Sequence, residues 1–386
     1  MKTIFDLFVL MLFSAAALQA QKLIDAKLIF PPQDKHVHSS SMVECPDGSL
    51  LACWFEGSGE RNADDVRIRG ARLKKGASSW GPVFEMADTP NYPDCNPILY
   101  LDNDQRLILM WVVVRANRWE AAELKYRIST DFQKDGAPKW QWQDIVLIKN
   151  TNKFRQDLAA GFRALPETNH TWAEYAPRYE KMIIEAANDA VKREMGWMTR
   201  IAPTILADGR ILLPLYSDGF NLSLVAISDD NGHTWNPSTP IVGRGNIQPV
   251  ILARKSGELV AYMRDNGNPP ARIMKSLSKD RGETWSPVED MKIPNPGASV
   301  TGLVLKNGDW CLVYNDLEDG RHNLTLAISG DEGRTWPVNK IIEESAPGEG
   351  SFAYPAVLQT KDGSIHISYS WHKGKKSIKY VVFRNR

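Results

Sequence analysis

The sequence predicts an all-β protein: a six-bladed β-propeller with a helical insertion between blades two and three. One observation is a Ser-x-Asp-x-Gly-x-x-Trp pattern that occurs in "ISDDNGHTW", "LSKDRGETW" and "AISGDEGRTW", and ends at Trp235, Trp285 and Trp336. A second observation is a hairpin of two apolar strands that recurs along the chain. Repeats of about 50 residues made of short strands are typical of propellers.

The Ser-x-Asp-x-Gly-x-x-Trp segments are interpreted as structural turns. Each follows a predicted strand, as in "LSLVAIS" before the first copy. Ser and Asp side chains bond to turn backbone, Gly permits a left-handed residue, and the Trp ring is large enough to pack against a blade. A catalytic role for the pattern is therefore not favoured.

Six inner hairpins give the number of blades. Each has a small or Pro-led start, an apolar strand, a polar turn and a second apolar strand, as in "YPAVLQTKDGSIHISY". They begin near residues 39, 96, 202, 248, 300 and 354. We expect one six-bladed domain over residues 21–386.

Residues 150–197 interrupt the repeat. Apolar residues there recur at helical spacing, and Pro177 precedes them as it would at a helix start. They are Met182, Ile183, Ala186, Ala187, Ala190 and Val191. The segment connects an outer strand to the next inner strand, so we expect it to overhang the face where the inner strands begin.

The N-terminus predicts export. Residues 1–20 have Lys2, an apolar run and small residues before Gln21, the pattern of a signal peptide. The run is short for a membrane span, so we expect a secreted or periplasmic protein without one.

Composition excludes several other classes. The net charge of +1 gives no electrostatic case for binding nucleic acid. The 4 Cys are too few and scattered for a disulfide framework or a zinc site, which favours buried thiols. His36 and His38 share one strand face, but the local sequence offers no third ligand, so no metal and no cofactor is predicted.

Propeller geometry gathers two sets of residues around the axis on one face. The starts of the inner strands supply His38, Asp94 to Asn96, Arg200, Gln248, Ser299 and Tyr354. The loops after the second strands supply charged residues that include Glu60, Asp64, Asp65, Asp218, Arg264 and Arg321, together with His372. Arg residues bind carboxylates, and nearby carboxylates act as acids or bases. The convergence of both sets predicts a site for an acidic ligand.

The repeats, together with the starts and ends of the blades, resemble the sialidase (neuraminidase) superfamily, in particular its exported bacterial BNR-repeat or Asp-box branch. The resemblance covers about residues 35–384. It implies that Tyr354 is the nucleophile and that Asp65 or Asp64 is the acid/base. It also implies that Arg264 and Arg321 are the second and third arginines of a triad that binds the substrate carboxylate.

Two positions depart from the sialidase pattern. Gln248 lies where a Glu is expected to activate the Tyr, and His38 lies about where the first arginine belongs. A Gln cannot accept the phenolic proton, and Arg200 is the candidate to replace the missing arginine.

Three functions remain open at this stage. The first is an exo-acting glycoside hydrolase that removes a terminal sialic acid or related acidic sugar from a glycan. The second is a polysaccharide lyase acting on a uronate-containing glycan through Tyr354 and His38. The third is a carbohydrate-binding propeller without turnover. All three take an oligosaccharide or glycoconjugate with an acidic sugar as the partner.

Overall fold

A computed structural model describes residues 21–167 and 171–385, which form six four-stranded antiparallel sheets arranged as a six-bladed propeller. The predicted signal peptide at residues 1–20 lies outside the described residues. The first strands are β1 (Gln21–Leu28), β2 (His36–Glu44), β3 (Leu50–Gly57), β4 (Arg67–Leu73), β5 (Phe84–Ala87), β6 (Asp94–Leu101), β7 (Leu107–Val114), β8 (Ala122–Ser129) and β9 (Trp142–Ile145). They are followed by β10 (Thr204–Ile205), β11 (Ile211–Ser217), β12 (Leu222–Ser228), β13 (Asn236–Pro237), β14 (Asn246–Ala253), β15 (Leu259–Asp265), β16 (Arg272–Ser278) and β17 (Glu289–Pro294). The last are β18 (Thr301–Val304), β19 (Trp310–Tyr314), β20 (Asn323–Ser329), β21 (Val338–Glu344), β22 (Ser351–Gln359), β23 (Ile365–Lys373) and β24 (Lys375–Asn385).

Five sheets consist of four consecutive strands, and the sixth closes the ring. Blades one to five begin with β2, β6, β10, β14 and β18, whereas blade six has the order β22-β23-β24-β1. In that blade Gln21 pairs with Asn385 and Leu28 pairs with Lys379. The six predicted blades are confirmed. The sequence analysis missed β1, because this outer strand is largely exposed and its sequence "QKLIDAKL" lacks a buried apolar run.

Four inner strands carry the same irregularity near their starts. Their pairing with the second strand shifts register there, and the residue at the shift has a positive φ. These residues are Ser39 (59°), Asn96 (48°), Gln248 (55°) and Tyr354 (54°). Non-glycine residues rarely adopt this conformation, and bulges redirect side chains. The bulges therefore set the directions of side chains around the propeller axis.

The Asp boxes, the Ser-x-Asp-x-Gly-x-x-Trp turns, connect the third and fourth strands on the face opposite the starts of the inner strands. In the first box Ser228 Oγ accepts a bond from Gly232 N and donates to Asp230 Oδ1, both at 2.8 Å. Asp230 also accepts bonds from the backbone N and Oγ1 of Thr234, at 2.8 and 2.6 Å. The box at Ser278 and the box at Ser329 repeat these contacts. These bonds confirm the prediction that the Ser-x-Asp-x-Gly-x-x-Trp segments are structural turns.

In the described part of the segment between β9 and β10, the structure has the α-helices α1 (Lys153–Ala164), α2 (Pro177–Ala186) and α3 (Ala190–Glu194). Helix α1 buries Phe154, Leu158 and Phe162 against the core. Helix α2 begins at Pro177, where a missing backbone N–H has no cost, and buries Ile183.

Large apolar clusters pack between the blades. All four cysteines are buried and free, which confirms the prediction of buried thiols. Among the described residues, no helix is long and apolar enough to cross a membrane.

Candidate active site

A polar cavity of about 390 Å³ opens where the inner strands begin. It is lined by His36, His38, Glu60, Asn96, Trp119, Tyr216, Asp218, Ile247, Gln248, Arg264, Asn266, Arg321, Ser351, Tyr354 and His372. Inner strands and loops of all six blades contribute. The structure thus brings together Tyr354, Gln248, Arg264, Arg321 and His38 from the predicted catalytic and substrate-binding residues, and Glu60, Asn96, Asp218 and His372 from the wider sets predicted around the axis.

Tyr354 lies at the centre of this cavity. Its positive φ at the bulge of β22 directs the side chain inward, and only 8% of the residue is exposed. The phenolic oxygen accepts hydrogen bonds from Arg264 Nη1 at 3.1 Å and from Gln248 Nε2 at 3.2 Å. Two donors, one of them charged, therefore fix the position of this oxygen in the cavity.

Three guanidinium groups surround Tyr354. Besides Arg264, the guanidinium carbon of Arg321 lies 5.6 Å and that of Arg200 lies 4.8 Å from the ring centroid. In the described part of the chain, no carboxylate lies within the 4.0 Å ion-pairing distance of these three groups. Arg264 and Arg321 line the polar cavity, and the carboxyls of Glu60 and Asp218, which also line it, lie beyond ion-pairing distance of them. Guanidinium groups without a direct carboxylate partner are suited to bind an anion.

Arg200 differs from the expectation that it binds substrate. It is 2% exposed and lies beneath the Tyr354 ring, where Nη2 donates to Pro355 O at 3.0 Å. It lines a separate axial cavity of about 450 Å³ among the inner strands rather than the polar cavity. Burial lowers the pKa of Arg200 to about 10, so it is still charged at pH 7. Its position supports Tyr354 from below.

Three histidines form one wall of the polar cavity. The ring centroid of His38 lies 4.0 Å from that of Tyr354, and His36, His38 and His372 lie 5.7 to 6.0 Å from one another. Burial lowers the pKa of all three imidazoles, that of His36 to about 4, so they are neutral at pH 7. His372 Nε2 donates to Val37 O at 2.8 Å. Within residues 21–167 and 171–385, no three His, Cys, Asp or Glu side chains are arranged to hold a metal ion.

The predicted acid/base residues, Asp64 and Asp65, do not line the cavity, which corrects the expectation for their position. Asp65 is exposed and accepts bonds from Ser58 N at 2.9 Å and Ser58 Oγ at 2.7 Å. Asp64 is exposed and accepts a bond from Asn117 Nδ2 at 3.2 Å. Glu60, on the same loop, lines the cavity instead, and partial burial raises the pKa of its carboxyl despite the nearby Arg61 and Arg321.

Tyr216 and Trp119 line the cavity but were not selected from the sequence. Tyr216 is 3% exposed, and its hydroxyl accepts a bond from Asn96 Nδ2 at 3.1 Å. The strand register would have identified it. Ile211 pairs with the Asp-box residue Ser228 in blade three, and Leu259 pairs with the Asp-box residue Ser278 in blade four. Tyr216 therefore occupies the position in blade three that Arg264 occupies in blade four. Trp119 lies in a short 3₁₀ turn that gives no comparable signal.

The fold and site define a six-bladed propeller with an arginine-lined polar cavity. Residues 48–173 and 189–367 match the BNR repeat-like domain, and the chain belongs to this sialidase-like family.

Curated relatives and solved structures agree with this assignment. The chain is 23% identical over 198 residues to an anhydrosialidase of Macrobdella decora, covering 45% of this chain and 25% of that protein. It is 26% identical over 167 residues to a sialidase of Micromonospora viridifaciens, covering 40% and 24%. The matches therefore span about a quarter of these relatives.

Two solved structures have the same fold over nearly their whole length. A protein of unknown function from Dyadobacter fermentans has a TM-score of 0.69 at 16% identity, with 95% of this chain and 99% of that chain covered. An intramolecular trans-sialidase from Ruminococcus gnavus has a TM-score of 0.65 at 14% identity, with 92% and 95% covered. At these identities the likeness concerns the fold alone.

Proposed function

We propose that the protein is an exo-acting glycoside hydrolase of the sialidase type, which removes a terminal sialic acid or related acidic sugar from glycans. The observation that carries this proposal is the pair of guanidinium groups, of Arg264 and Arg321, that line the cavity beside Tyr354 without a direct carboxylate partner. A sugar carboxylate supplies the missing negative charge, and Arg264 and Arg321 are the two arginines that line the cavity and meet it. Relatives named as sialidases support the same class of reaction.

In this proposal Tyr354 attacks the anomeric carbon while the glycosidic C–O bond breaks. A neutral phenol approaches an anionic sugar without the repulsion that a carboxylate nucleophile would meet, which suits a tyrosine to this substrate. Positive charge from the arginines stabilises the phenolate, and the phenolic proton passes to cavity water because Gln248 is a donor to this oxygen. Water then attacks the anomeric carbon and the C–O bond between the sugar and Tyr354 breaks. One water proton returns to the acid that protonated the leaving oxygen, and the Tyr354 phenolate regains a proton from cavity water.

Glu60 is our candidate for the acid that protonates the leaving oxygen. It lines the cavity, whereas Asp64 and Asp65 are exposed outside its wall. Burial raises the pKa of the Glu60 carboxyl, and a raised pKa makes a carboxyl better suited to act as a general acid.

A lyase acting on a uronate-containing glycan is the second candidate. The observation that favours it is the contact of Tyr354 with the neutral His38, at a centroid distance of 4.0 Å. In a β-elimination one of the two takes the proton next to the uronate carboxylate and the other protonates the leaving oxygen, so no carboxylate base at position 248 is needed.

Incubation with a fluorogenic sialoside, beside a panel of uronate-containing oligosaccharides, separates these functions. We expect fluorophore release that is lost in Tyr354→Phe and retained in the control Tyr92→Phe, which removes an exposed hydroxyl outside the cavity. An ultraviolet-absorbing unsaturated product from a uronate substrate would identify the lyase instead. Normal activity of Tyr354→Phe would refute both mechanisms.

We also propose that residues 150–197 are an insertion that packs behind the loops of blades three and four beside the cavity, and that the protein is exported. This packing is supported by contacts of Glu174 and Tyr179 with the loops of blades four and three. Export is supported by the N-terminal pattern of Lys2, an apolar run and small residues. N-terminal sequencing of the protein from its native cell tests export, because an N-terminus at Met1 contradicts cleavage.

A further inference from the structure

Arg264 is held at two points of its guanidinium group. Nη1 donates to Tyr354 Oη at 3.1 Å, and Nη2 donates to Asn266 Oδ1 at 2.8 Å. Nε is buried without a partner in the described structure. The planar fork has a fixed geometry, so Asn266 determines how Arg264 is turned toward the cavity.

Asn266 begins a chain of polar side chains that leads away from the cavity. Asn266 Nδ2 donates to Asn221 Oδ1 at 2.9 Å, and Asn221 Nδ2 donates to Tyr179 Oη at 3.1 Å. Arginine only donates, so the atom of Asn266 that faces Arg264 must be its oxygen. This choice directs the Asn266 nitrogen to Asn221, and in turn directs the Asn221 nitrogen to Tyr179. The polarity of the whole chain is therefore set by Arg264.

Tyr179 lies on α2, and the same helical region binds the loop that follows Arg264. Glu174 accepts bonds from Asn268 N at 2.6 Å and Asn268 Nδ2 at 2.7 Å. Glu180 pairs with Arg244 at 3.1 Å. The loop is thus held by hydrogen bonds on both sides of Gly267. Asn266 bonds to Asn221 on one side, and Asn268 bonds to Glu174 on the other.

We propose that Asn266, with Asn221 and Tyr179 behind it, is a positioning residue that orients Arg264 for the carboxylate of the substrate. This inference rests on the proposed function, because it concerns the ligand of the same cavity. Through this chain the helical region controls affinity for the acidic group without touching it. The carboxylate is bound in the ground state and in the transition state alike, so a loosened Arg264 weakens binding more than turnover.

The test compares Asn266→Ala and Asn266→Asp with the control Asn307→Ala. Asn307 makes a side-chain bond to Asp309 in an exposed turn on the opposite face. We expect Asn266→Ala to raise KM for an acidic glycan about tenfold with kcat changed less than about twofold, since one charge-assisted bond is lost. Asn266→Asp keeps an acceptor for Arg264 but adds a carboxylate that pairs with Arg264 and repels the acidic ligand, so a rise in KM at least as large is expected. Asn307→Ala should leave both constants unchanged.

An unchanged KM in folded Asn266→Ala would overturn the inference, as would an equal loss in Asn307→Ala. If the wild-type protein neither cleaves an acidic glycan nor binds N-acetylneuraminate by calorimetry, the proposed function fails on its own. A crystal structure of Asn266→Ala then decides the positioning role. Arg264 displaced from Tyr354 Oη supports it, and Arg264 retained there refutes it.

Discussion

Replacement of Arg200 by Met should remove activity with little change in stability. Arg200 is 2% exposed, its charge has no carboxylate partner in the described structure, and its guanidinium lies 4.8 Å from the centroid of the Tyr354 ring. Met has a similar length and flexibility and carries no charge. The substitution therefore removes a buried charge while it fills most of the space.

The expected change in the free energy of unfolding comes from three opposed contributions. The fall in the pKa of Arg200 from 12.5 to about 10 corresponds to a burial cost of about 3 kcal/mol, which Met relieves. Loss of the bond to Pro355 O costs about 1 kcal/mol. Loss of the buried cation–π contact costs about 2 kcal/mol. The sum is close to zero, so we expect a change of less than about 1 kcal/mol.

Urea denaturation of the wild type, Arg200→Met and Arg200→Ala measures this. Arg200→Ala loses the same charge but leaves a void, so it should be about 2 kcal/mol or more less stable than Arg200→Met. Turnover should fall at least about tenfold in both, because the Tyr354 ring loses its support and the positive field. A loss of more than about 3 kcal/mol in Arg200→Met, at an unchanged denaturant slope, would refute the view that this charge is uncompensated.

Three further outcomes are expected. Gln248→Glu places a proton acceptor at the Tyr354 hydroxyl and should raise kcat on a sialoside about tenfold, whereas a fall would count against the nucleophile mechanism. Burial alone would raise the pKa of Asp230, but its hydrogen bonds from Thr234 and Ser228 hold the pKa at about 2. The stability that these bonds give is therefore present above about pH 4 and is lost as the pH falls toward 2. After allowance for solvent screening, this contribution to the free energy of unfolding is about 1 kcal/mol. In denaturation experiments Asp230→Asn should be as stable as the wild type near pH 2 and less stable than the wild type at pH 7. An equal difference in stability at both pH values would contradict the linkage. Burial raises the pKa of the Cys53 thiol, and it raises the pKa of the Cys311 thiol to about 12. Iodoacetamide should therefore label none of the four cysteines in the folded protein at pH 8, as measured by intact mass, and rapid labelling would contradict their burial.

The fold was predictable because its repeats depend on local chemistry. The Asp boxes need Ser, Asp and Gly at fixed spacing for turn bonds, and these can be read without knowledge of tertiary structure. Tyr354 and Gln248 were found because they lie at equivalent strand starts. Strand β1 was missed because its partner, β24, is far away in sequence and the strand is largely exposed.

The candidate site was only partly predictable, because long-range contacts select among nearby residues. Glu60, Asp64 and Asp65 share one loop and the same chemistry, and only the path of the loop decides that Glu60 faces the cavity. The contact of Asn266 with Arg264 is local, but its link to Tyr179 depends on how the helical region packs. Sequence spacing carries no signal for such a link.

The pairing of β1 with β24 has a consequence for the order of events during synthesis. Blades one to five consist of consecutive strands, so each has its partners as soon as it leaves the ribosome. Blade six joins Gln21 to Asn385, and it also supplies Tyr354. Strand β1 therefore stays unpaired until β24 has been synthesised. The cavity is completed only at that step, so the binding site is assembled after the sixth blade has been synthesised rather than with the early blades.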